Sequence, residues 1–152
     1  FGVARFAPGT GIIPGVAPTP ERDGRNSLAP MLIVNKPTAD AFLAAGASGD
    51  ASSPTSLISV VLKLVLDEKL LADAVDAPRF HAGRASRTVF AEATASAVSK
   101  ARFKAAAYNV IQVPALGRVN AIWSAKGILE TSGECVYVAD KRGFGYGVSA
   151  EH

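Results

Sequence analysis

Residues 46–81 read GASGDASSPTSLISVVLKLVLDEKLLADAVDAPRFH, and few arrangements of chain satisfy that order. Small, backbone-exposing residues run into a strongly apolar segment, which closes on Asp76-Ala77-Pro78-Arg79 and, two residues on, His81. Leu57, Val60, Val61, Leu64 and Val65 recur at helical spacing, so one side of a helix is expected to face a core. Ser53 is the expected N-cap and Pro54 the first helical residue, where a missing N–H costs nothing. Asp67-Glu68-Lys69 breaks the apolar run, and a second short helix is expected over residues 70–75. It has to stop at Ala77, because the residue before a proline is pushed out of the helical region. A glycine-rich turn at the head of a buried helix can aim uncapped N–H groups and the positive end of the helix dipole at an anion or a developing oxyanion. Gly49 and Asp50 are the candidates for such a turn, against the plain alternative of a strand-to-helix connection.

The flanks suggest what that helix packs against. Met31-Leu32-Ile33-Val34 and Ala41-Phe42-Leu43-Ala44-Ala45 are apolar runs on either side of Asn35-Lys36-Pro37-Thr38, and read as two hairpin-connected strands buried on both faces. After the Pro78 turn, residues 88–91 read as a strand and the alanine-rich residues 95–108 as a helix capped by Asn109. Residues 110–113, 119–123 and 135–138 are three more strand candidates, separated by glycine and proline. Strands in clusters, with helices set between the clusters, point to an α+β fold or a layered αββα arrangement rather than a repeating βαβ sheet. Residues 1–26 are punctuated by Pro8, Gly9, Gly11, Pro14, Gly15, Pro18 and Pro20 too densely for a helix or a central strand. The expectation is a single domain, or a fragment of one, over residues 1–152, with a loop-rich entry segment over residues 1–29. A start on Phe1, without a basic or apolar leader pattern, reads as a chain cut from something longer.

Several function classes lose support on composition. With 152 residues, 49% apolar and 19% charged, the chain can bury a real core. Its net charge of +3 comes from scattered residues, with no stripe of Lys and Arg interleaved with aromatics, so no nucleic-acid partner is expected. Cys135 is the single cysteine and no Cys/His metal spacing occurs, so neither an internal disulfide nor a metal is expected. The longest apolar run, residues 57–66, is interrupted by Ser59 and Lys63, and no membrane span is expected. Gly143-Phe144-Gly145-Tyr146-Gly147 has no helix after it and reads as a glycine-rich tail, not a nucleotide loop. Asp76 and Arg79, beside His81, read as a local ion pair or turn clamp in preference to an acid/base set. Ser48, Ser52, Ser53 and Ser56 lack both a nearby Asp/His arrangement and a G-x-S-x-G elbow, which disfavours a serine triad.

Taken in order, Phe1-Gly2, Gly11-Ile12, Asn26-Ser27-Leu28-Ala29-Pro30, Gly46-Ala47-Ser48-Gly49-Asp50, Ala74-Val75-Asp76-Ala77-Pro78-Arg79-Phe80-His81, Gly117-Arg118-Val119 and Ala139-Asp140-Lys141-Arg142 resemble the C-terminal part of the small subunit of the gamma-glutamyltransferase (gamma-glutamyltranspeptidase) family. The Asp-Ala-Pro-Arg-Phe-His segment is the most specific match. The resemblance implies part of a four-layer αββα N-terminal-nucleophile hydrolase sandwich. In such enzymes a threonine freed by self-cleavage attacks the gamma-glutamyl amide, with its own α-amine as base, and the acyl group passes to water or an amine. It implies no metal or organic cofactor, a companion large subunit or upstream segment of the same precursor, a small-molecule gamma-glutamyl or other acyl-amide substrate, and a periplasmic or extracellular location. The family's serine pair, which holds the substrate's α-carboxylate, falls on Asn26 and Ser27, and its oxyanion-hole glycine pair falls on Gly49 and Asp50. The nucleophilic threonine falls upstream of Phe1, and neither Thr10 nor Thr19 takes its place. Where the family grips the substrate's amino group, this chain has Pro14-Gly15-Val16-Ala17-Pro18, with Glu21 and Asp23 as the candidate substitutes. That departure keeps two alternatives open: an acylase or amidase with a different acyl group, and a non-catalytic scaffold paralogue.

Overall fold

The computed structural model describes residues 29–128 and 135–143. Residues 1–28 of the loop-rich entry segment, including Asn26 and Ser27, and the glycine-rich stretch after Gly143 lie outside the described residues, while the segment's last residue, Ala29, is already strand.

The expected hairpin is β1 (Ala29–Val34) and β2 (Ala41–Ser48), paired antiparallel with Pro30 opposite Gly46 and Leu32 opposite Ala44. Its turn closes on Asn35, whose N–H donates to Asp40 O and whose carbonyl accepts from Ala39 N–H. β2 is longer than its apolar run suggests, because Gly46, Ala47 and Ser48 continue the strand opposite β6 (Arg118–Trp123). With β7 (Val136–Val138) beside β6, the sheet runs β1-β2-β6-β7.

Side chains alternate across a strand, so each face of this sheet collects every second residue. Leu43, Ala47, Val119 and Ala121 fall on one face and are buried beneath α1 (Ser53–Val65) and α2 (Leu71–Asp76). The helices contribute Leu57, Val60, Leu64, Leu71, Ala74 and Val75 to the same core. Burial of each leucine there stabilises by about 2 kcal/mol. The opposite face carries Pro30, Leu32, Ala44, Gly46, Asn120, Ile122 and Tyr137 along a trough of about 820 Å³, and Leu32 is 66% exposed. The two hairpin strands are therefore buried on one face only among the described residues, a correction to their apolar sequence, because α1 and α2 supply a single covering layer.

α1 begins one residue earlier than expected. A 3-10 turn over Asp50–Ser52 leads into it, Ser52 is the N-cap, and its side chain makes no capping bond. Of the residues at helical spacing, Leu57, Val60 and Leu64 are buried, but Val65 lies outward with Ile58, Leu62 and Leu66. α2 ends as the proline rule requires, with Ala77 extended at φ −58° and ψ 141°.

The second sheet has the order β3-β4-β5, from β3 (Phe80–Ala82), β4 (Thr88–Glu92) and β5 (Asn109–Val113). β3 and β4 are antiparallel, whereas β4 and β5 are parallel and joined through α3 (Ala97–Ala105). One βαβ unit thus sits inside an α+β fold. Ser96 caps α3 by accepting from Ser99 N–H at 3.0 Å. Asn109 does not cap α3; it opens β5, and the left-handed break after the helix falls on Ala107 at φ 60°.

Candidate functional site

The end of β2 reaches a turn built on close backbone contact. Gly49 has φ +123°, a conformation natural to glycine, and a Cβ there would stand 2.7 Å from Gly117 Cα. Gly117 is itself left-handed at φ +61°. The turn leaving β2 and the turn entering β6 are thus packed backbone to backbone.

The first turn of α1 fastens this contact. Ser52 donates to Gly49 O through its N–H at 3.2 Å and its hydroxyl at 2.7 Å. Ser56 Oγ lies 2.8 Å from Ser52 O and 3.1 Å from Leu116 O, so its one proton serves both carbonyls. In a trans peptide the C=O and N–H point in opposite directions. With Gly49 O drawn toward Ser52, the Asp50 N–H is directed away from that turn. Thr55 Oγ1 donates to Ser52 O at 3.0 Å and lies 2.8 Å from His81 Nδ1, which ties α1 to β3. His81 stacks on Phe90, with ring centroids 6.5 Å apart. Gly49 and Asp50 are brought to this turn, and His81 joins its flank.

Asp76 and Arg79 do not pair with each other, contrary to the local ion pair expected. The extended Ala77-Pro78 step separates them: Asp76 stays near the surface, 2.5 Å from Lys141 Nζ, while Arg79 turns inward and is 1% exposed. Arg79 Nη2 donates to Asp140 Oδ2 at 2.7 Å and to Val75 O at 2.8 Å, and Nη1 donates to Leu116 O at 3.0 Å. Arg142 completes the group, donating to Glu92 Oε2 at 2.6 Å and to Asp140 Oδ1 at 3.2 Å. Two guanidinium groups and two carboxylates thus neutralise one another in the interior, which is what burying them requires.

The environment sets their ionisation. Burial works to raise the Asp140 carboxyl, but the N–H groups of Arg142 and Val119 and the Arg79 guanidinium outweigh it and hold the carboxyl below its usual range. Burial lowers Arg79, with Asp140 opposing. Arg142 is raised despite burial, through Glu92 and Asp140.

Sequence reasoning missed Glu92 altogether, since nothing local marks one glutamate in a strand. Asp140 and Arg142 stood in the Ala139-Asp140-Lys141-Arg142 segment, but without their partner. Among the described residues no group of three His, Cys, Asp or Glu side chains is gathered to hold a metal, and no helix is long and apolar enough to cross a membrane.

The sequence matches the gamma-glutamyltranspeptidase family over residues 14–149. The chain belongs to that family. No curated protein matches it significantly. Among solved structures it is similar to a mutant gamma-glutamyltranspeptidase of Helicobacter pylori, at 24% identity and a TM-score of 0.63, over 76% of this chain. It spans 61% of that H. pylori chain. The Pseudomonas nitroreducens gamma-glutamyltranspeptidase complexed with L-DON superimposes over 99% of this chain and 88% of its own, with a TM-score of 0.71 and 21% identity. A cephalosporin acylase from Bacillus halodurans shares the fold at 20% identity and a TM-score of 0.57, over 65% of this chain and 18% of its own. At these identities the likeness speaks to fold, and the fold is that of the gamma-glutamyltranspeptidases, with mixed helices and sheets.

Proposed function

We propose that this chain supplies one half of the site of an N-terminal-nucleophile enzyme that cleaves gamma-glutamyl amide bonds and transfers the acyl group to water or an amine. The observation that carries this reading is the turn after β2 in a gamma-glutamyltranspeptidase-family chain, where the Gly49 carbonyl is engaged by Ser52 and the Asp50 N–H is directed away from it. Backbone donors fixed in this way cost no reorganisation when charge develops on a substrate oxygen.

In this reading a threonine on an upstream segment attacks the amide carbon, and its α-amine takes the hydroxyl proton. The oxyanion accepts from the Gly49 and Asp50 N–H groups, and Asn26 and Ser27 hold the substrate's carboxylate. Collapse expels the amine, which leaves with the proton, and water or an acceptor amine then attacks the ester by the same route. The companion segment also covers the open face of the four-stranded sheet. Export to the periplasm or the cell exterior belongs to this reading on family resemblance alone.

An acylase or amidase of the same superfamily is the second reading. It is favoured by Pro14-Gly15-Val16-Ala17-Pro18 standing where the family grips the substrate's amino group. A non-catalytic scaffold paralogue is the third. The decisive experiment takes the intact mass of every polypeptide in the purified full-length gene product and then assays a substrate panel. A threonine-initiated companion with turnover of a gamma-glutamyl anilide is the expected result. Turnover confined to other acyl amides moves the assignment to the acylase, and a sample with neither companion nor turnover sinks both enzymatic readings.

A further inference from the structure

Arg79 directs its guanidinium at carbonyls of two separate segments and at Asp140, with Nε left without a hydrogen-bond partner among the described residues. Its two terminal nitrogens reach Val75 O, Leu116 O, Gly117 O and Asp140, and its own backbone N–H donates to Glu92 Oε2 at 3.1 Å. Glu92 in turn accepts from Leu116 N–H at 2.8 Å, and Asp140 accepts from Val119 N–H at 2.8 Å. The segment entering β6 is therefore held at the N–H and carbonyl of Leu116, the carbonyl of Gly117 and the N–H of Val119. This is the segment whose Gly117 Cα lies where a Cβ on Gly49 would collide.

We infer that Arg79 is a positioning residue for the Gly49–Asp50 turn: held by Asp140, its guanidinium anchors the Leu116 and Gly117 carbonyls and thereby fixes the backbone on which Gly49 rests. The inference rests on the oxyanion reading of that turn given above. Carbonyls converging from α2 and from the β6 entry need donors when buried, and an aliphatic side chain supplies none. A lysine reaches one or two of them from a single nitrogen but cannot reproduce the planar fork. Because Gly49 and Gly117 meet backbone to backbone, movement of the β6 entry is transmitted to the turn without an intervening flexible side chain. Oxyanion donors lose most of their effect when displaced from the developing charge.

The test uses the full-length gene product with Arg79→Met, Arg79→Lys and Asp140→Asn, reading gamma-glutamyl anilide kinetics and amide hydrogen exchange on the same samples. Arg79→Met is expected to lower kcat by about 100-fold and Arg79→Lys by about tenfold, with KM within about twofold of wild type. Exchange should quicken at Ser52 and at residues 116–119 while residues 57–64 of α1 stay protected. Wild-type kcat in Arg79→Met, or faster exchange spread evenly over the whole chain, overturns the inference. If Arg79→Met does not fold, Asp140→Asn, which leaves the guanidinium but takes away its counter-charge, is read by the same criteria. A wild type that turns over no gamma-glutamyl substrate refutes the proposed function, and the exchange pattern then decides the positioning role by itself.

Discussion

Gly49 concentrates two constraints in one residue. Its φ of +123° disfavours any side chain, and the space where a Cβ would go is taken by Gly117 backbone, which has no flexible end to move aside. Gly49→Ala is expected to cost about 3 kcal/mol or more in urea denaturation, a size that surface substitutions do not reach. Asp50 invites the opposite experiment: in the oxyanion reading proposed above it stands at one of the family's two glycine positions, and on that reading Asp50→Gly is expected to raise kcat by about tenfold. Asp140 gives a pH signature. Its folded carboxyl binds a proton less readily than the unfolded one, so its stabilisation is complete above the unfolded value near ~4 and drains away as pH falls through the lower folded value. Denaturation midpoints followed from pH 7 to pH 3 should stay level as regards this group and then fall. Asp140→Asn should start lower at pH 7 by about 3–5 kcal/mol, because Arg79 is left buried without its counter-charge, and should show a shallower acid limb.

At the scale of elements, α1 does two jobs on two sides. Leu57, Val60 and Leu64 press into the sheet, while Ile58, Leu62, Val65 and Leu66 face outward. Leu57→Ala is expected to cost about 2–5 kcal/mol and Val65→Ser under about 0.5 kcal/mol, although both residues belong to the same apolar run. Calorimetry of the two variants separates a core residue from its look-alike. The head of α1 spends its serine hydroxyls on neighbouring carbonyls at Gly49, Ser52 and Leu116 instead of capping its own first turn, and this fastens the helix to the β2 and β6 turns. The end of α2 was legible in Pro78, whose steric demand on Ala77 is purely local. The start of α1 was not, because a 3-10 turn leading into Ser52 depends on the bond to Gly49 across the turn.

For the molecule as a whole, the four-stranded sheet carries helices on one face and an apolar trough on the other. Leu32 and Ile122 lie exposed on that trough, and such a surface favours association. A sample holding this chain alone is expected to self-associate with rising concentration in sedimentation velocity. Leu32→Lys combined with Ile122→Lys should return it toward the monomer while leaving the helix-covered core intact. The segment order also explains how one side chain spans the structure: Arg79 leaves the Pro78 turn and meets Asp140, 61 residues along the chain, under the entry to β6.

What the sequence determined by itself is short in range. The hairpin of β1 and β2, the apolar side of α1, the stop at Ala77 and the turn at Gly49 each follow from neighbours within a few residues, where sterics and side-chain periodicity act directly. The Asp-Ala-Pro-Arg-Phe-His segment marked the family through the identity of its residues, without revealing what Arg79 holds. Only the tertiary structure decided which face of the sheet is covered, that β4 and β5 run parallel, and that Glu92, Asp140 and Arg142 close around Arg79. A buried charge takes its partners from whatever segments the packing brings together, and no local propensity encodes that choice.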